Sequence, residues 1–210
     1  MSMGLSSTSA ADVVNNLSEE KLKSIIKILG EEKDASRISK NIIKNRLIKR
    51  ITRVDQLVDI IKKSKKNNYF SKINPSTKTF QALRIFVNKE ISELVAGIIN
   101  AAKILKPGGK MLIISFHSIE DKIVKYFFNN FSSNRSNPSR YFPEIKDLDV
   151  SLFEAYRNKV FKPSDEEILK NSPSRSAKLR YAIRNNNEFI YPNELVNKFK
   201  KYLDLESLHA

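Results

Sequence analysis

Apolar residues recur every three or four positions through the first half of the chain, which predicts a series of amphipathic helices. Ser18 can cap the first helix, and Gly30 follows its last apolar residue as a stop signal. Helices are predicted over about 18–29, over 35–48, from Thr52 into the lysine run 62–66, and over 79–105. The side chains expected to be buried on the second and third of these helices are Ile38, Ile42, Ile43, Leu47, Val54, Leu57, Val58 and Ile61.

A six-residue apolar run over 111–116 breaks this helical pattern. The run is too short for a typical helix, so it predicts a strand covered on both faces, as in a parallel sheet. Ser118 opens the next helix, with Asp121 in the position of a capping-box acid. Because ligands in open α/β sheets bind beyond the carboxyl ends of strands, residues 115–118 are the expected edge of a site.

The last third of the chain mixes loop, strand and helix signals. Residues 132–150 are rich in Ser, Asn and Pro and predict a surface loop, and 152–162 gives a weak strand pattern. Ser164 and Glu167 form a capping pair ahead of a short helix. Residues 177–184 alternate in polarity, which predicts an edge strand with one wet face. That wet face would carry Lys178, Arg180 and Arg184 with Ala182. A final amphipathic helix is predicted over 193–203.

The composition excludes several classes of site. The 210 residues include no Cys and only two His, which excludes disulfides and thiolate metal sites and makes a His-based zinc site very unfavourable. The sequence shows neither a membrane-spanning run nor a signal-peptide core, so we expect a cytoplasmic protein without a membrane partner.

The net charge of +15 is concentrated in one segment. Residues 33–78 hold 14 Lys or Arg against three Asp, a local balance of +11. A clustered basic surface favours nucleic acid as partner, although solvated helix faces and cations at a helix C-terminus also explain lysine runs. The candidate phosphate-binding residues here are Lys40, Lys44, Lys62, Lys63, Lys65 and Lys66.

The catalytic signals are weak when they are considered alone. Pro107-Gly108-Gly109 precedes a strand, whereas a phosphate-binding fingerprint follows one. His117, at the carboxyl end of a predicted strand, is the one catalytic candidate, and a purely structural histidine is an equal alternative. Arg175, Lys178 and Arg180 lie in or beside a hydroxyl-rich turn that suits phosphate, or that is simply solvated.

Four ordered sequence blocks resemble the RsmH (MraW) methyltransferase family. They are residues 9–15 with 30–32, residues 79–88 with Glu90 (which adds Arg84 as a candidate contact), residues 107–109 with 114–121, and residues 175–180. The resemblance implies an S-adenosylmethionine-dependent enzyme that methylates N4 of a cytosine in the decoding region of 16S rRNA, in the small ribosomal subunit. It also implies an α/β fold, a Rossmann-like methyltransferase sheet interrupted by an all-helical substrate-recognition domain.

The same resemblance implies that the segment holding the methyl donor is not part of these 210 residues. We therefore expect a helical recognition domain over 1–78, the carboxyl-terminal half of a methyltransferase fold over 79–187, and a helical extension over 188–210. This chain alone is expected to bind no donor and to be inactive, unless a separately encoded amino-terminal half completes it. A non-enzymatic rRNA-binding remnant is the alternative, favoured by Asp34 at a position that is aromatic in the family and expected to be buried.

Overall fold

A computed structural model describes residues 8–65, 74–134 and 151–209. The chain divides into two compact units. Unit 1 comprises residues 1–93 with 201–210, and unit 2 comprises residues 94–200. The division therefore falls at Glu93, whereas the sequence placed a boundary after residue 78. The three-part domain assignment stays a prediction.

Unit 1 is helical within its described residues. Its helices are α1 (Ala10–Asn16), α2 (Glu19–Ile28), α3 (Ala35–Ile48), α4 (Val54–Ser64) and α5 (Thr77–Asn88), together with the first turn of α6 (Glu90–Ile104). The core side chains include Leu22, Ile25, Ile26, Ile38, Ile42, Ile61, Leu83 and Phe86. The helices expected over 18–29, 35–48 and from Thr52 are thus confirmed.

Two helix faces differ from the periodic pattern. Leu47 and Val54 were expected in the core, but both are exposed. They lie at the end of α3 and at the start of α4. Asp34 also differs from expectation, because it is only half-buried and forms an ion pair with Arg37. Its position therefore does not indicate a damaged core.

The single long helix predicted over 79–105 is wrong. Lys89 adopts a left-handed backbone, with φ of 50°, and separates α5 from α6. The carboxylate of Glu206 accepts hydrogen bonds from the N–H groups of Ile91 (3.0 Å) and Ser92 (2.7 Å) at the new helix start. These N–H groups have no partner within the helix, so a distant residue supplies the cap that the local sequence does not show.

Unit 2 is a mixed α/β unit. It contains the rest of α6, β1 (Lys110–Ser115), α7 (Ser118–Asn130), α8 (Asp165–Lys170), a 3₁₀ turn (Ser172–Ser176), β2 (Lys178–Ile183) and the first half of α9 (Asn193–Glu206). The described residues form one two-stranded sheet, in which β1 and β2 are antiparallel and Lys110 pairs with Ile183. A larger Rossmann-like sheet stays a prediction.

The burial of the two strands differs from the prediction. The strand β1 was expected to be covered on both faces, but Leu112, Ile114 and the following Phe116 are 60%, 58% and 54% exposed. On β2 the exposed side chain is Tyr181. The face expected to be wet, with Arg180, Ala182 and Arg184, is the buried one.

Polar partners make the burial of these two arginines possible. Arg184 donates to the carbonyl oxygens of Leu152 (2.9 Å) and Asn187 (2.7 Å). Burial lowers the pKa of Arg184 from its ordinary value. Beneath this face lies an aromatic core of Phe127, Phe128, Phe131, Phe153 and Tyr156. The period-two pattern located β2 correctly, but residue type alone assigned the wrong face to the core.

The remaining segments follow the sequence in part. Ser164 caps α8 through the N–H of Glu167, as predicted. The weak strand over 152–162 reduces to single bridges at Phe153 and Phe161. The surface loop predicted over 132–150 lies mostly outside the described residues. None of the helices in the described ranges has the length and apolar character that crossing a membrane requires.

Candidate nucleic-acid interface

A groove of about 490 Å³ runs between α3 and α4 in unit 1. Its lining combines three amides, two cations, one carboxylate and three isoleucines. These residues are Asn41, Asn45, Ile48, Lys49, Ile51, Gln56, Asp59, Ile60 and Lys63. The groove therefore has polar walls with a small excess of positive charge and an apolar floor formed by the buried Ile51 and Ile60.

Hydrogen bonds from α1 and α3 fix the chain around this groove. The amide of Asn15 binds both backbone groups of Ile51, accepting from its N–H at 3.0 Å and donating to its C=O at 2.7 Å. Arg46 donates to the carbonyl oxygens of Val14 (2.9 Å) and Leu17 (2.7 Å) at the end of α1. These contacts hold the α3–α4 connection, and hence the groove, against α1.

Three exposed lysines surround the groove. Lys49 and Lys63 line it, and Lys44 lies one turn before Ile48 on the same side of α3. All three residues are exposed, so a phosphate can reach their ammonium groups.

Lys40 and Lys62, the other two exposed phosphate-binding candidates of unit 1, lie farther round their helices. Lys62 precedes Lys63 by one residue, which turns its side chain about 100° away on α4. The basic surface at the groove is therefore centred on the predicted Lys44 and Lys63 together with Lys49, which was not predicted, and Lys40 and Lys62 lie at its margins.

Several of the predicted phosphate-binding cations form ion pairs within the chain. Lys65 is nearly buried and pairs with Glu32 at 2.6 Å. Arg84 pairs with Glu90 through two bonds of 2.8 and 2.9 Å. These pairs make Lys65 and Arg84 poorer phosphate ligands than the sequence suggested. Lys66 lies outside the described residues.

His117 has a structural role at the carboxyl end of β1. It is the N-cap of α7, and its Nδ1 accepts from the N–H of Glu120 at 3.4 Å. The Glu120 carboxylate in turn accepts from the N–H of Phe116 at 2.8 Å and of His117 at 3.3 Å. The capping box thus consists of His117 and Glu120, one residue before the predicted pair of Ser118 and Asp121.

Asp121 is instead the centre of an ion-pair cluster that joins α7 to β2. Its carboxylate accepts from Arg180 Nε at 2.7 Å and from Lys178 Nζ at 2.9 Å, and the Arg180 side chain is only 5% exposed. Arg180 also donates to the hydroxyl of Tyr156 and to Asn158 Oδ1, each at 3.0 Å.

The charges in this cluster stabilise one another. Burial by itself would raise the pKa of Asp121, but the hydrogen bonds and charges of Arg180 and Lys178 outweigh it and hold this pKa below its ordinary value. Arg180 is therefore engaged inside the unit, whereas Lys178 stays partly exposed and Arg175 is fully at the surface. Of the predicted trio, Arg175 remains the best placed to meet a phosphate.

Comparison with known proteins identifies the chain's relatives. The MraW methylase family matches residues 1–185. The chain belongs to the MraW methylase family. Proteins called ribosomal RNA small subunit methyltransferase H are similar to it: that of Bartonella grahamii is 43% identical over 184 residues, that of Bartonella henselae 41% over 191, and that of Hyphomonas neptunium 39% over 186. The family resemblance drawn from the sequence is thereby confirmed.

The match covers most of this chain but only part of each relative. It includes 88%, 91% and 89% of the chain and 55%, 55% and 54% of the three relatives. The chain thus spans little more than half the length of the family members it matches. The tail beyond residue 185, with α9, lies outside the matched segment.

Membership of a methyltransferase family implies the use of a methyl donor, S-adenosylmethionine. The polar groups at the carboxyl end of β1 serve the α7 cap and the Asp121 cluster. Gly108 and Gly109 lie before β1, so they cannot form the turn after a strand that cradles such a cofactor. The described residues therefore do not fit a complete S-adenosylmethionine pocket.

The groove residues Asn41, Asn45, Lys49 and Gln56 were missed by the sequence analysis. Asn41 and Asn45 lie four residues apart on α3, beside its apolar stripe, and Lys49 follows four residues later at the C-cap of the helix. That spacing was the available signal. The sequence prediction considered only the cations of this segment, so it did not include the amide side chains.

Proposed function

We propose that this chain provides the RNA-binding part of an S-adenosylmethionine-dependent methyltransferase acting on N4 of a cytosine in the decoding region of 16S rRNA. Membership of the MraW methylase family and the names of its relatives support the reaction class. The exposed lysines around the α3–α4 groove support the RNA-binding role, and they are the observation on which it depends.

We place the donor pocket in a separate amino-terminal half of the methyltransferase domain. Leu112, Ile114 and Phe116 form an apolar sheet face that is more than half exposed, and exposed apolar patches of this kind mark contact surfaces. The relatives are nearly twice as long as the matched segment, which supports a further segment as the occupant of this face.

In this proposal the chain's own residues bind and orient the RNA. Lys44, Lys49 and Lys63 attract the phosphates and fix the position of the strand, which is the usual task of phosphate contacts. Arg175 offers a further phosphate contact in unit 2. Orientation matters because a base must be unstacked and held before chemistry on its exocyclic amine can proceed. The enzyme is expected to work in the cytoplasm.

The RNA-binding role is tested by salt titration with single-stranded RNA from the decoding region. Each neutralised phosphate contributes about 0.7 to the slope of log affinity against log salt. Lys49→Gln and Lys63→Gln should each reduce the magnitude of that slope by about 0.7. The control Lys23→Gln replaces an exposed lysine on α2 and should leave the slope unchanged. Affinity that does not depend on salt would contradict the proposal.

The catalytic role is tested by reconstitution. This chain is mixed with the amino-terminal segment of the Bartonella henselae relative, S-adenosylmethionine and small ribosomal subunits. Methylated cytosine is expected in the mixture and not with either part alone. A mixture that binds RNA without methylating it would favour the alternative, an rRNA-binding protein without activity. Micromolar binding of S-adenosylmethionine to this chain alone, measured by calorimetry, would contradict the placement of the donor pocket.

A further inference from the structure

We infer that the α3–α4 groove binds the base of one unpaired guanine nucleotide in single-stranded RNA. The inference rests on the proposed function, because it specifies what the RNA-binding surface recognises. It goes further in assigning base selectivity to a surface that the lysines alone would make unselective.

The groove has the size and surface for a single nucleotide. Its volume of about 490 Å³ falls within the range of about 300–1,000 Å³ that is usual for small-ligand sites. Ile51 and Ile60 form an apolar floor, and Ile48 at the rim is 87% exposed. A base can place its flat face against these side chains, while its edge meets the polar ones.

Internal hydrogen bonds fix how the amides face the groove. Asn41 donates its Nδ2 to Ser64 Oγ at 2.8 Å, and Asn45 donates its Nδ2 to the Asn41 carbonyl oxygen at 2.8 Å. Gln56 accepts through Oε1 from the N–H groups of Thr52 (3.1 Å) and Arg53 (3.2 Å). The side-chain oxygens of Asn41 and Asn45 and the NH₂ group of Gln56 therefore remain for a ligand, and each asparagine NH₂ group keeps one further N–H donor.

The Asp59 carboxylate is the one anionic acceptor in the groove lining, and its two oxygens can accept from two neighbouring donors of a base at once. Asn41 Oδ1, Asn45 Oδ1 and the exposed Asp59 carboxylate accept hydrogen bonds, and Gln56 Nε2 donates them. The Watson–Crick edge of guanine offers two donors, N1–H and the N2 amine, beside the acceptor O6. Uracil offers one donor between two acceptors, cytosine offers one donor group beside two acceptors, and adenine offers one donor group beside one acceptor. Guanine is therefore the base that presents two adjacent donors to the Asp59 carboxylate. Unpaired bases in RNA are read on this edge, so the groove's chemistry selects guanine.

The charges around the groove favour one orientation of the bound nucleotide. Lys49 and Lys63 line the groove and offer contacts for the flanking phosphates, whereas Asp59 repels a phosphate. A nucleotide therefore enters with its base edge toward Asp59 and with its phosphates at the lysines.

The test measures binding of the whole chain to five-nucleotide RNAs that differ only at the centre. UUGUU, UUAUU, UUCUU and UUUUU are compared at one salt concentration by fluorescence anisotropy. We expect UUGUU to bind about tenfold more tightly than the others, since one well-formed multiple contact to a base gives discrimination of this order.

Two variants separate base recognition from attraction to phosphate. Asp59→Asn should strengthen binding of UUAUU, UUCUU and UUUUU, because a negative charge is lost, and narrow the preference for UUGUU, because the contact to the guanine edge is weakened. Asn45→Ala should narrow the preference with the salt slope unchanged. Asn16→Ala, an exposed amide on α1, serves as the matched control and should change neither. Circular dichroism checks that each variant is folded.

The outcomes distinguish this inference from the proposed function. Equal, salt-dependent binding of the four RNAs would overturn guanine recognition and leave RNA binding intact. A preference for another base would do the same. If none of the RNAs binds, both the inference and the RNA-binding role fail.

Discussion

Asn15 binds both backbone groups of Ile51, accepting from its N–H at 3.0 Å and donating to its C=O at 2.7 Å. Ile51 lies in the connection between α3 and α4, outside both helices. The side-chain amide of Asn15 on α1 satisfies its backbone N–H and C=O groups. Ile51 is also part of the groove floor, so the contact links the stability of unit 1 to the shape of the candidate site.

Asn15→Ala should lower the free energy of unfolding by about 2 kcal/mol or more. The variant leaves a backbone donor and an acceptor of the buried Ile51 without partners, and each unsatisfied group costs about 1–3 kcal/mol. Hydrogen exchange at the Ile51 N–H reports the local effect, which should be a loss of protection. Asn16→Ala on the same helix is exposed and should change stability by less than about 0.5 kcal/mol. Equal effects from both variants would show that the Asn15 contact is unimportant.

Asp121→Asn should destabilise unit 2 in a pH-dependent manner. The neutral side chain leaves the buried Arg180 without its anion, which costs about 3 kcal/mol by analogy with other broken buried pairs. Because the folded-state pKa of Asp121 lies below its ordinary value of 3.8, its contribution is complete above that pH and is lost as the pH falls through the folded-state pKa.

Urea unfolding at a series of pH values measures this effect. The difference between the wild-type chain and Asp121→Asn should stay constant at neutral pH and shrink as the pH is lowered below 3.8. Glu166→Gln is the control, since its pair with Lys170 is largely exposed and should contribute less than about 1 kcal/mol. A difference that grows on acidification would contradict the account of the cluster.

The sequence predicted elements whose signal is local. The helix α2 follows its Ser18 cap and apolar period, and β2 follows its alternation. The Lys89 break was not predictable in this way, because its compensating contact comes from Glu206, more than a hundred residues away. Sequence pattern gives periods and caps, but not the distant partner that makes a strained residue tolerable.

The candidate site shows the same limit for charged residues. Lys44 and Lys63 were predicted as surface cations and are exposed. Lys65 and Arg180 were grouped with them, yet each meets a carboxylate in a nearly buried position. Composition reveals how many cations a segment carries, whereas only tertiary contacts reveal which of them are already neutralised.

Lys89→Gly should stabilise the chain by about 0.5–1 kcal/mol. The left-handed backbone at this position is sterically unfavourable for residues with a Cβ, whereas glycine adopts it without steric strain. The control is Lys103→Gly, at a right-handed position in the last turn of α6, which should destabilise by up to about 1 kcal/mol. Urea midpoints compare the two variants, and destabilisation by Lys89→Gly would mean that the lysine side chain itself matters there.

Glu206→Gln tests whether the tail outside the family-matched segment supports unit 1. Glu206 is completely buried, and its Oε1 accepts from the Ile91 N–H, while its Oε2 accepts from both the N–H and the hydroxyl of Ser92. In glutamine one of the two oxygens becomes an NH₂ group, which cannot accept.

The variant should therefore lose hydrogen-exchange protection at the start of α6 while the rest of the helix stays protected. A hydrogen bond to a charged group contributes about 1.5–3 kcal/mol, so protection at Ser92 should fall about 10- to 100-fold. Asp204→Asn, an exposed carboxylate on the same helix, should leave Ser92 unaffected. Since burial raises the pKa of Glu206 above its ordinary value of 4.5, the contribution of this side chain is complete below that pH and falls as the pH rises through the folded-state pKa, so the deficit of the variant should shrink with rising pH. An unchanged Ser92 amide would mean that the cap of α6 does not depend on the tail.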